Sequence, residues 1–175
     1  QTETAQGIFQ GHPELGSHVA HEAFPGLDEY NPAAVLTAFN EEYPAPADAA
    51  VRRDPVVVRE HFRVLREALL AWAEDRTHPA GMPVWERVEN GAGAALVEAR
   101  QSVPAGYVLI GSAGGPIAAM VAAVLKAPPA AAIDLNLRIR NSSLSEFAST
   151  PRRHHLISFN GLPHLDTNVD LSLMT

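Results

Sequence analysis

The chain has 175 residues, is 46% hydrophobic and carries a formal net charge of −7 at pH 7. That length predicts one globular domain over residues 1–175. The acidic balance argues against nucleic-acid binding and anionic-membrane binding, because both need a basic surface that displaces counterions. A small anionic ligand is still compatible with this charge, since a local group of backbone N–H groups can bind an anion on an acidic protein.

The chain contains no cysteine. Disulfides and thiolate metal sites are therefore excluded, and a reducing compartment such as the cytoplasm is favoured. No apolar run is long enough to span a bilayer, and the start of the chain lacks the pattern of a signal peptide. The chain begins with Gln1 rather than methionine, which leads us to expect residues upstream of it in the complete protein.

Hydrophobic periodicity predicts helices over most of the first hundred residues. Residues 2–9 are typical of a helix, residues 11–30 of a loop and residues 31–40 of a short helix. The clearest helix follows Asp54-Pro55, because apolar side chains recur there at three- and four-residue steps: Val58, Phe62, Leu65, Leu69 and Trp72. Residues 84–102 predict a second amphipathic helix, and we expect Trp72 and Trp85 to lie in the core.

The most informative segment is 108–120, an apolar run that breaks into a glycine-rich turn and continues as an alanine-rich helix. This pattern predicts a strand at 107–111, a tight loop, and a buried helix with Pro116 in its first position, where the missing N–H has no intrahelical partner. The glycines of the turn allow backbone N–H groups to approach an anion at the positive end of the helix dipole. We therefore expect the turn to bind a negatively charged group.

Two short strands, 144–147 and 155–159, follow and are joined by a polar turn. Strands of this kind alternate with the helices along the chain. This alternation indicates a layered α/β domain.

Five short segments match one known family in order and approximate spacing. Residues 1–5 (Gln-Thr-Glu-Thr-Ala) resemble a helix start that follows a phosphate-binding arginine, and residues 26–30 (Gly-Leu-Asp-Glu-Tyr) resemble a Leu-x-Glu segment. Residues 110–118 resemble a second-histidine loop, and residues 141–143 with 158–165 resemble a closing hairpin. The chain as a whole thus resembles the histidine phosphatase superfamily, whose fold is phosphoglycerate-mutase-like.

The resemblance implies a three-layer α/β/α sandwich with a mostly parallel sheet and a C-terminal β-hairpin. The given chain would lack the N-terminal strand of that fold. The helical region 31–102 lies between Glu29 and the glycine turn, and it is therefore a candidate for a cap that sets the choice of substrate.

The resemblance also implies a function, namely a phosphomonoester hydrolase or phosphoryl transferase that acts through a phosphohistidine. Glu29 would donate the proton to the leaving group, and Ser112, Gly114 and Gly115 would bind the phosphate. No metal or other cofactor is expected, because the charged groups of the pocket stabilise the phosphoryl oxygens. The expected partner is a small phosphorylated substrate or inorganic phosphate, a homodimer is compatible with the sequence, and mutase and phosphatase activities both stay open.

Two departures from the family pattern bear on activity. No Arg-His-Gly occurs in the sequence, so the nucleophilic histidine is expected outside the given chain. Ala113 stands where the family usually has its second histidine, through natural divergence or an engineered change, and its methyl group cannot donate to a phosphate. The loss of one charged hydrogen bond costs about 1.5–3 kcal/mol, or about 10- to 150-fold in rate if it acts in the transition state.

Two alternative functions follow from the same residues. Ala113 and the missing Arg-His-Gly are compatible with a catalytically degenerate phosphatase fold that serves as a binding module. The order Ser112, Asp134 or Asp166, then His164 is that of a serine hydrolase triad. A nucleophile elbow would need glycine at position 110, however, where the sequence has isoleucine.

Overall fold

A computed structural model describes Gly7, Gln10 and Gly11 together with residues 23–43, 55–103 and 105–164. The described residues form a 3-10 helix (Pro25–Leu27), five α-helices and a two-stranded antiparallel sheet. The helices are α1 (Pro32–Glu42), α2 (Pro55–Ala73), α3 (Trp85–Ser102), α4 (Gly114–Leu125) and α5 (Pro129–Asn136), and the strands are β1 (Leu144–Ser149) and β2 (His154–Gly161). The predicted mixture of helices and strands is thus confirmed, and the predicted helix at residues 2–9 lies largely outside the described residues.

Asn31 determines where α1 begins. Its side-chain Oδ1 accepts hydrogen bonds from the backbone N–H groups of Ala33 at 3.0 Å and Ala34 at 3.2 Å. Pro32 follows in the first turn, where its fixed φ favours the helix and its missing N–H costs nothing. Because Glu29 and Tyr30 directly precede this cap, the start of α1 also fixes their position.

The first of two hydrophobic clusters joins α1, α2 and α5 to the start of α3. Its buried members include Val35, Leu69, Trp72, Trp85 and Ile133. The two indole rings meet edge to face with their centroids 5.2 Å apart, and the Trp72 N–H donates to the carbonyl oxygen of Pro83 at 3.1 Å. The prediction that both tryptophans pack in the core is confirmed.

The apolar face of α2 is buried over only part of its length. Leu65, Leu69 and Trp72 are buried, as the periodicity predicts. Val58 and Phe62, which belong to the same predicted face, are 42% and 49% exposed. The helix therefore contributes to the cluster through its C-terminal half.

The second hydrophobic cluster attaches the 3-10 helix to α3 and α4. Leu27, Ala92, Leu96, Ala119 and Met120 are among its buried members. The backbones of Gly26 and Gly91 approach so closely that a Cβ added at residue 91 would lie 3.1 Å from the carbonyl oxygen of residue 26. This contact fixes the chain two and three residues before Glu29 against the α3 helix.

Helix α4 starts earlier than the sequence predicts. Ala113 is the N-cap and Gly114 the first helical residue, so Pro116 occupies the third position instead of the first. Proline is still tolerated there, because the first four N–H groups of a helix have no intrahelical partner. The predicted burial of this helix on most sides is confirmed, since residues 115, 116 and 118–122 are all buried.

The predicted strand at 107–111 does not form within the described residues, where this segment is neither helix nor strand. Tyr107 is fully exposed and Leu109 is 66% exposed, whereas Ile110 packs at the edge of the second cluster. A strand is defined by its pairing, and none of the described residues is hydrogen-bonded beside this segment as a neighbouring strand. The apolar run is present, but its pairing is not.

The predicted hairpin at the end of the described chain is confirmed. Strands β1 and β2 pair in antiparallel fashion, with Phe147 opposite Leu156 and Ser149 opposite His154. The backbone N–H of Thr150 closes the turn by donating to the carbonyl oxygen of Arg153 at 2.9 Å. No helix in the described part of the chain combines the length and the apolar character needed to cross a membrane.

The first cluster makes a testable prediction about stability. Leu69 is completely buried among the cluster residues, so Leu69→Ala removes apolar contacts and leaves a cavity. We expect the free energy of unfolding to fall by about 2–5 kcal/mol in urea denaturation. Leu125, on α4, is 55% exposed, and Leu125→Ala should change it by no more than about 0.5 kcal/mol. Equal effects of the two substitutions would contradict this assignment of the core.

Candidate functional site

Glu29 and the glycine turn meet in space although 86 positions separate Glu29 from Gly115 in the sequence. The backbone N–H of Gly115 donates to the Glu29 Oε2 at 3.1 Å. The other carboxylate oxygen, Oε1, accepts the N–H of Tyr30 at 3.0 Å. The structure thus brings together the two features that the sequence singled out, the Leu-x-Glu carboxyl and the turn before α4.

Two opposed influences act on the Glu29 carboxyl. Burial raises its pKa, because removal from water disfavours the charged form. The backbone N–H groups of Gly115, Tyr30 and Gly114 lower the pKa by binding the carboxylate, and burial has the larger effect. The residue as a whole is exposed, so the Glu29 carboxyl can exchange its proton with solvent.

Ser112 points its proton at the backbone. Its Oγ donates to the carbonyl oxygen of Leu27 at 3.1 Å. This hydrogen bond ties the chain before α4 to the 3-10 helix, two residues before Glu29. Ser112 therefore holds the two halves of the site together from one side.

Ala113 is the N-cap residue of α4 and has an extended backbone, with φ −94° and ψ 176°. Its side chain makes no capping hydrogen bond, as expected for a methyl group. The capping role is taken by a side chain from elsewhere, because Glu29 accepts the Gly115 N–H from outside the helix. A carboxylate in this place is stabilised by about 0.3–1 kcal/mol through the helix dipole.

The two glycines of the turn lie against two side chains that the sequence did not point to. A Cβ at residue 114 would come within 2.7 Å of Asn136 Oδ1, and a Cβ at residue 115 would lie 2.9 Å from Cδ1 of Tyr30 and closer still to Glu29 Oε1. A side chain at either position would therefore have to displace these neighbours. Glycine is required at 115 because the backbone itself approaches the carboxylate.

Tyr30 and Asn136 are hydrogen-bonded to each other beside the turn. The amide Nδ2 of Asn136 donates to the Tyr30 hydroxyl oxygen at 2.8 Å. Burial raises the pKa of Tyr30, and the negative charge of Glu29 raises it further, against the effect of the Asn136 hydrogen bond. Adjacency to Glu29 could have drawn attention to Tyr30, whereas Asn136 ends a helix that the sequence analysis did not predict.

The arrangement binds an anion at the N-terminus of α4, and that anion is the chain's own carboxylate. A phosphate that approached the same N–H groups would compete with ionised Glu29. Protonated Glu29 is neutral and can donate a hydrogen bond instead. The site is therefore suited to a reaction in which Glu29 holds a proton while a second anion is bound.

The residues of the serine hydrolase alternative are engaged elsewhere. Ser112 donates to Leu27 as described, and Asp134 forms an ion pair with Arg66 Nε at 2.6 Å. His164 is exposed, and Asp166 lies outside the described residues. In the described ranges, no group of three or more histidine, aspartate or glutamate side chains is placed to hold a metal ion.

Two surface depressions in the described part of the chain lie apart from Glu29 and the turn. One is bordered by the end of α1 and the loop after α2, and the other by the end of α2 and the start of α3. Their lining includes Glu41, Thr77 and His78 in the first and Asp75, Trp85 and Glu86 in the second. The candidate site is defined by its hydrogen bonds.

No family model, no curated protein and no solved structure matches the chain.

The contact between Gly115 and Glu29 can be tested by adding one methyl group. Gly115→Ala places a Cβ where Glu29 Oε1 and the Tyr30 ring now lie, so we expect the carboxylate to be displaced and stability to fall by about 1–3 kcal/mol. Urea denaturation measures the stability, and NMR titration of the Glu29 side-chain carboxyl reports the loss of its hydrogen-bond partner. The titration should shift relative to that of the parent chain.

Gly111→Ala is the matched control for this substitution. Gly111 lies in the same turn, and a Cβ added there meets nothing within 4 Å. Its effect on stability should stay within about 0.5 kcal/mol. A Gly115→Ala protein with unchanged stability and an unchanged Glu29 titration would contradict the described contact.

Proposed function

We propose that this chain forms part of a metal-independent phosphomonoester hydrolase or phosphoryl transferase of the histidine phosphatase type, with Glu29 as the proton donor. The observation that carries the proposal is the hydrogen bond from the Gly115 N–H to the Glu29 carboxylate. It brings the proposed acid to the N-terminus of α4, where backbone N–H groups and the helix dipole favour a phosphate. The substrate is a small phosphate monoester.

The proposed reaction has two chemical steps. A neutral imidazole attacks phosphorus, the bond to the alkoxide breaks, and Glu29 gives its proton to the departing oxygen. Water then attacks the phosphorus of the phosphohistidine, Glu29 takes a proton from that water, and the P–N bond breaks to release inorganic phosphate and restore the neutral imidazole. The sequence contains no Arg-His-Gly, so the proposal includes a nucleophilic histidine supplied by residues outside this chain.

The electrostatics of Glu29 support the role of a proton donor. Burial already raises its pKa, and a bound phosphate would raise it further because two neighbouring negative charges repel each other. Binding of substrate thus favours the protonated form. A donor that gains its proton as the substrate arrives is in the right state for the first step.

A three-layer α/β/α fold with a mostly parallel sheet is part of the same proposal. Support comes from the apolar side chains of Tyr107, Val108 and Leu109, which are all exposed. A sheet that paired with this segment would cover them. Strands of a parallel sheet are buried on both faces and have continuous apolar sequences of this kind. In the proposed fold this segment is a sheet strand that leads directly into the phosphate-binding turn.

The competition between Glu29 and phosphate predicts a pH dependence. Ionised Glu29 occupies the Gly115 N–H and repels phosphate, so inorganic phosphate should bind more tightly as the pH falls through the raised pKa of Glu29. Glu29→Gln removes the charge, and we expect it to tighten phosphate binding by about 10-fold above that pKa, which corresponds to about 1.4 kcal/mol. Isothermal titration calorimetry at a series of pH values measures the binding.

A comparison of Glu29→Gln with the parent chain at each pH cancels the effect of the protonation of phosphate itself. Both proteins meet the same mixture of phosphate species at each pH, so the ratio of their affinities reports Glu29 alone. Glu98→Gln, on the exposed surface of α3, is the matched control and should leave the affinity unchanged. If the ratio between Glu29→Gln and the parent stays constant with pH, Glu29 does not compete with phosphate.

Activity is tested on the native polypeptide with p-nitrophenyl phosphate and excess chelator. We expect metal-independent release of phosphate, a loss of about 10²- to 10⁴-fold for Glu29→Gln as expected for removal of a general acid, and a gain of about 10-fold or more for Ala113→His. An activated aryl ester needs less help from an acid, so an alkyl phosphate should show the larger loss for Glu29→Gln. Metal-dependent turnover, or none in a polypeptide that carries an Arg-His-Gly segment, would contradict the proposal.

A phosphate-binding module without catalysis is the second candidate. Ala113 favours it, because a methyl group replaces a side chain that the resemblance expects to contact the phosphoryl group. In that case phosphate binding would follow the same dependence on pH and on Glu29. Phosphate release would be absent from the native polypeptide, and Ala113→His would not produce it.

A further inference from the structure

Tyr30 and Asn136 are half-buried and lie against the glycine turn, one beside each glycine. Tyr30 Cδ1 would lie 2.9 Å from a Cβ at residue 115, and Asn136 Oδ1 would lie 2.7 Å from a Cβ at residue 114. The two side chains are hydrogen-bonded at 2.8 Å across 106 positions of sequence. The two side chains therefore contact neighbouring residues of the turn as a hydrogen-bonded pair.

Each member of the pair is itself anchored. The Tyr30 ring packs against Trp72 in the first hydrophobic cluster, with the ring centroids 6.1 Å apart. Asn136 is the last residue of α5, and its backbone oxygen accepts the N–H of Ile139 at 3.2 Å. Tyr30 thus connects the turn to the hydrophobic core, and Asn136 connects it to α5.

We propose that Tyr30 and Asn136 are positioning residues that hold the Gly114-Gly115 turn against Glu29, so that the Gly115 N–H and the carboxylate meet in a single geometry. Their importance for a reaction rests on the proposed function, since it requires Glu29 to be the proton donor. The positioning itself is a property of the chain without substrate. It can therefore be measured separately.

The proton affinity of Glu29 is sensitive to the geometry of the turn. Its pKa is set by burial on one side and by three backbone N–H groups on the other. A hydrogen bond weakens steeply when its distance and angle leave the normal range, so a small displacement of the turn changes this balance. A pair that fixes the turn also fixes the proton affinity of the acid.

The experiment follows backbone amides of the isotopically labelled chain by NMR while the Glu29 carboxyl titrates between about pH 3 and about pH 8. In the parent chain the amide protons of Gly115 and Tyr30 should both shift with Glu29, because both donate to its carboxylate. Tyr30→Phe keeps the ring and deletes the hydroxyl that Asn136 binds. Asn136→Ala deletes the other partner, so that one variant remains informative if the second does not fold.

We expect the titration shift of the Gly115 amide to fall to roughly half of its parent value or less in both variants, because the turn is then free to move away from the carboxylate. The second contact is the internal reference, because Tyr30 is next to Glu29 in sequence and the amide of residue 30 should keep its shift. A change confined to thermal stability, with both amide titrations intact, would show a merely structural role and overturn the proposal.

Tyr43→Phe and Asn40→Ala are the matched controls. Tyr43→Phe also deletes a hydroxyl that accepts a hydrogen bond, in this case from Arg76 at 3.2 Å. Asn40 is an exposed asparagine near the end of α1. Neither substitution should change the Gly115 titration. Loss of the titration shift in either control would overturn the proposal, because the effect would then not depend on the pair.

Failure of this inference is distinguishable from failure of the proposed function. If Tyr30→Phe and Asn136→Ala reduce the Gly115 titration while Glu29→Gln leaves phosphate binding unchanged, the pair positions the turn but the turn does not bind phosphate. If Glu29→Gln changes phosphate binding while the two variants leave the Gly115 titration unchanged, the function stands and the positioning role is wrong.

Discussion

The hydrogen bond between the Gly115 N–H and the Glu29 carboxylate is the interaction on which the organisation of the site depends. It joins the loop before α1 to the start of α4, two parts of the chain that are also linked by the hydrogen bond from Ser112 to Leu27. Only glycine at position 115 allows the approach, because a side chain there would overlap with the carboxylate and the Tyr30 ring. This one contact therefore caps α4, influences the protonation state of Glu29 and fixes the conformation of the turn.

That interaction also explains why Glu29 is sensitive to its surroundings. A fully buried carboxyl would be neutral, and one that only accepted N–H hydrogen bonds would be a permanent anion. Glu29 lies between these limits, because the effect of burial exceeds that of its three donors without abolishing it. A charged group that binds at the turn therefore shifts the pKa of Glu29: an anion raises it and a cation lowers it.

Local features of the fold were predictable from sequence, and pairings between distant segments were not. Periodicity identified Leu65, Leu69 and Trp72 as core residues of α2, and alternation identified the hairpin, since both patterns act within a few residues. The apolar run at 107–111 predicted a strand, but a strand needs a partner that no local signal specifies. Helix α5 was missed because a Pro-Ala tract has little periodicity, and with it Asn136 was missed at the site. The approach of Glu29 to the turn followed from a family resemblance and not from any pattern in these residues.

The backbone contact between Gly26 and Gly91 extends the influence of the site into α3. With a Cβ on either glycine only 3.1 Å from the other backbone, a larger residue at 26 or 91 fits only if the two backbones separate by a small distance. Gly26 is followed closely in the chain by Leu27 and Glu29, which hold the turn before α4 through their hydrogen bonds. Residue 91, in the middle of a helix that forms no hydrogen bond to Glu29, thereby helps to fix the loop from which that carboxylate reaches α4.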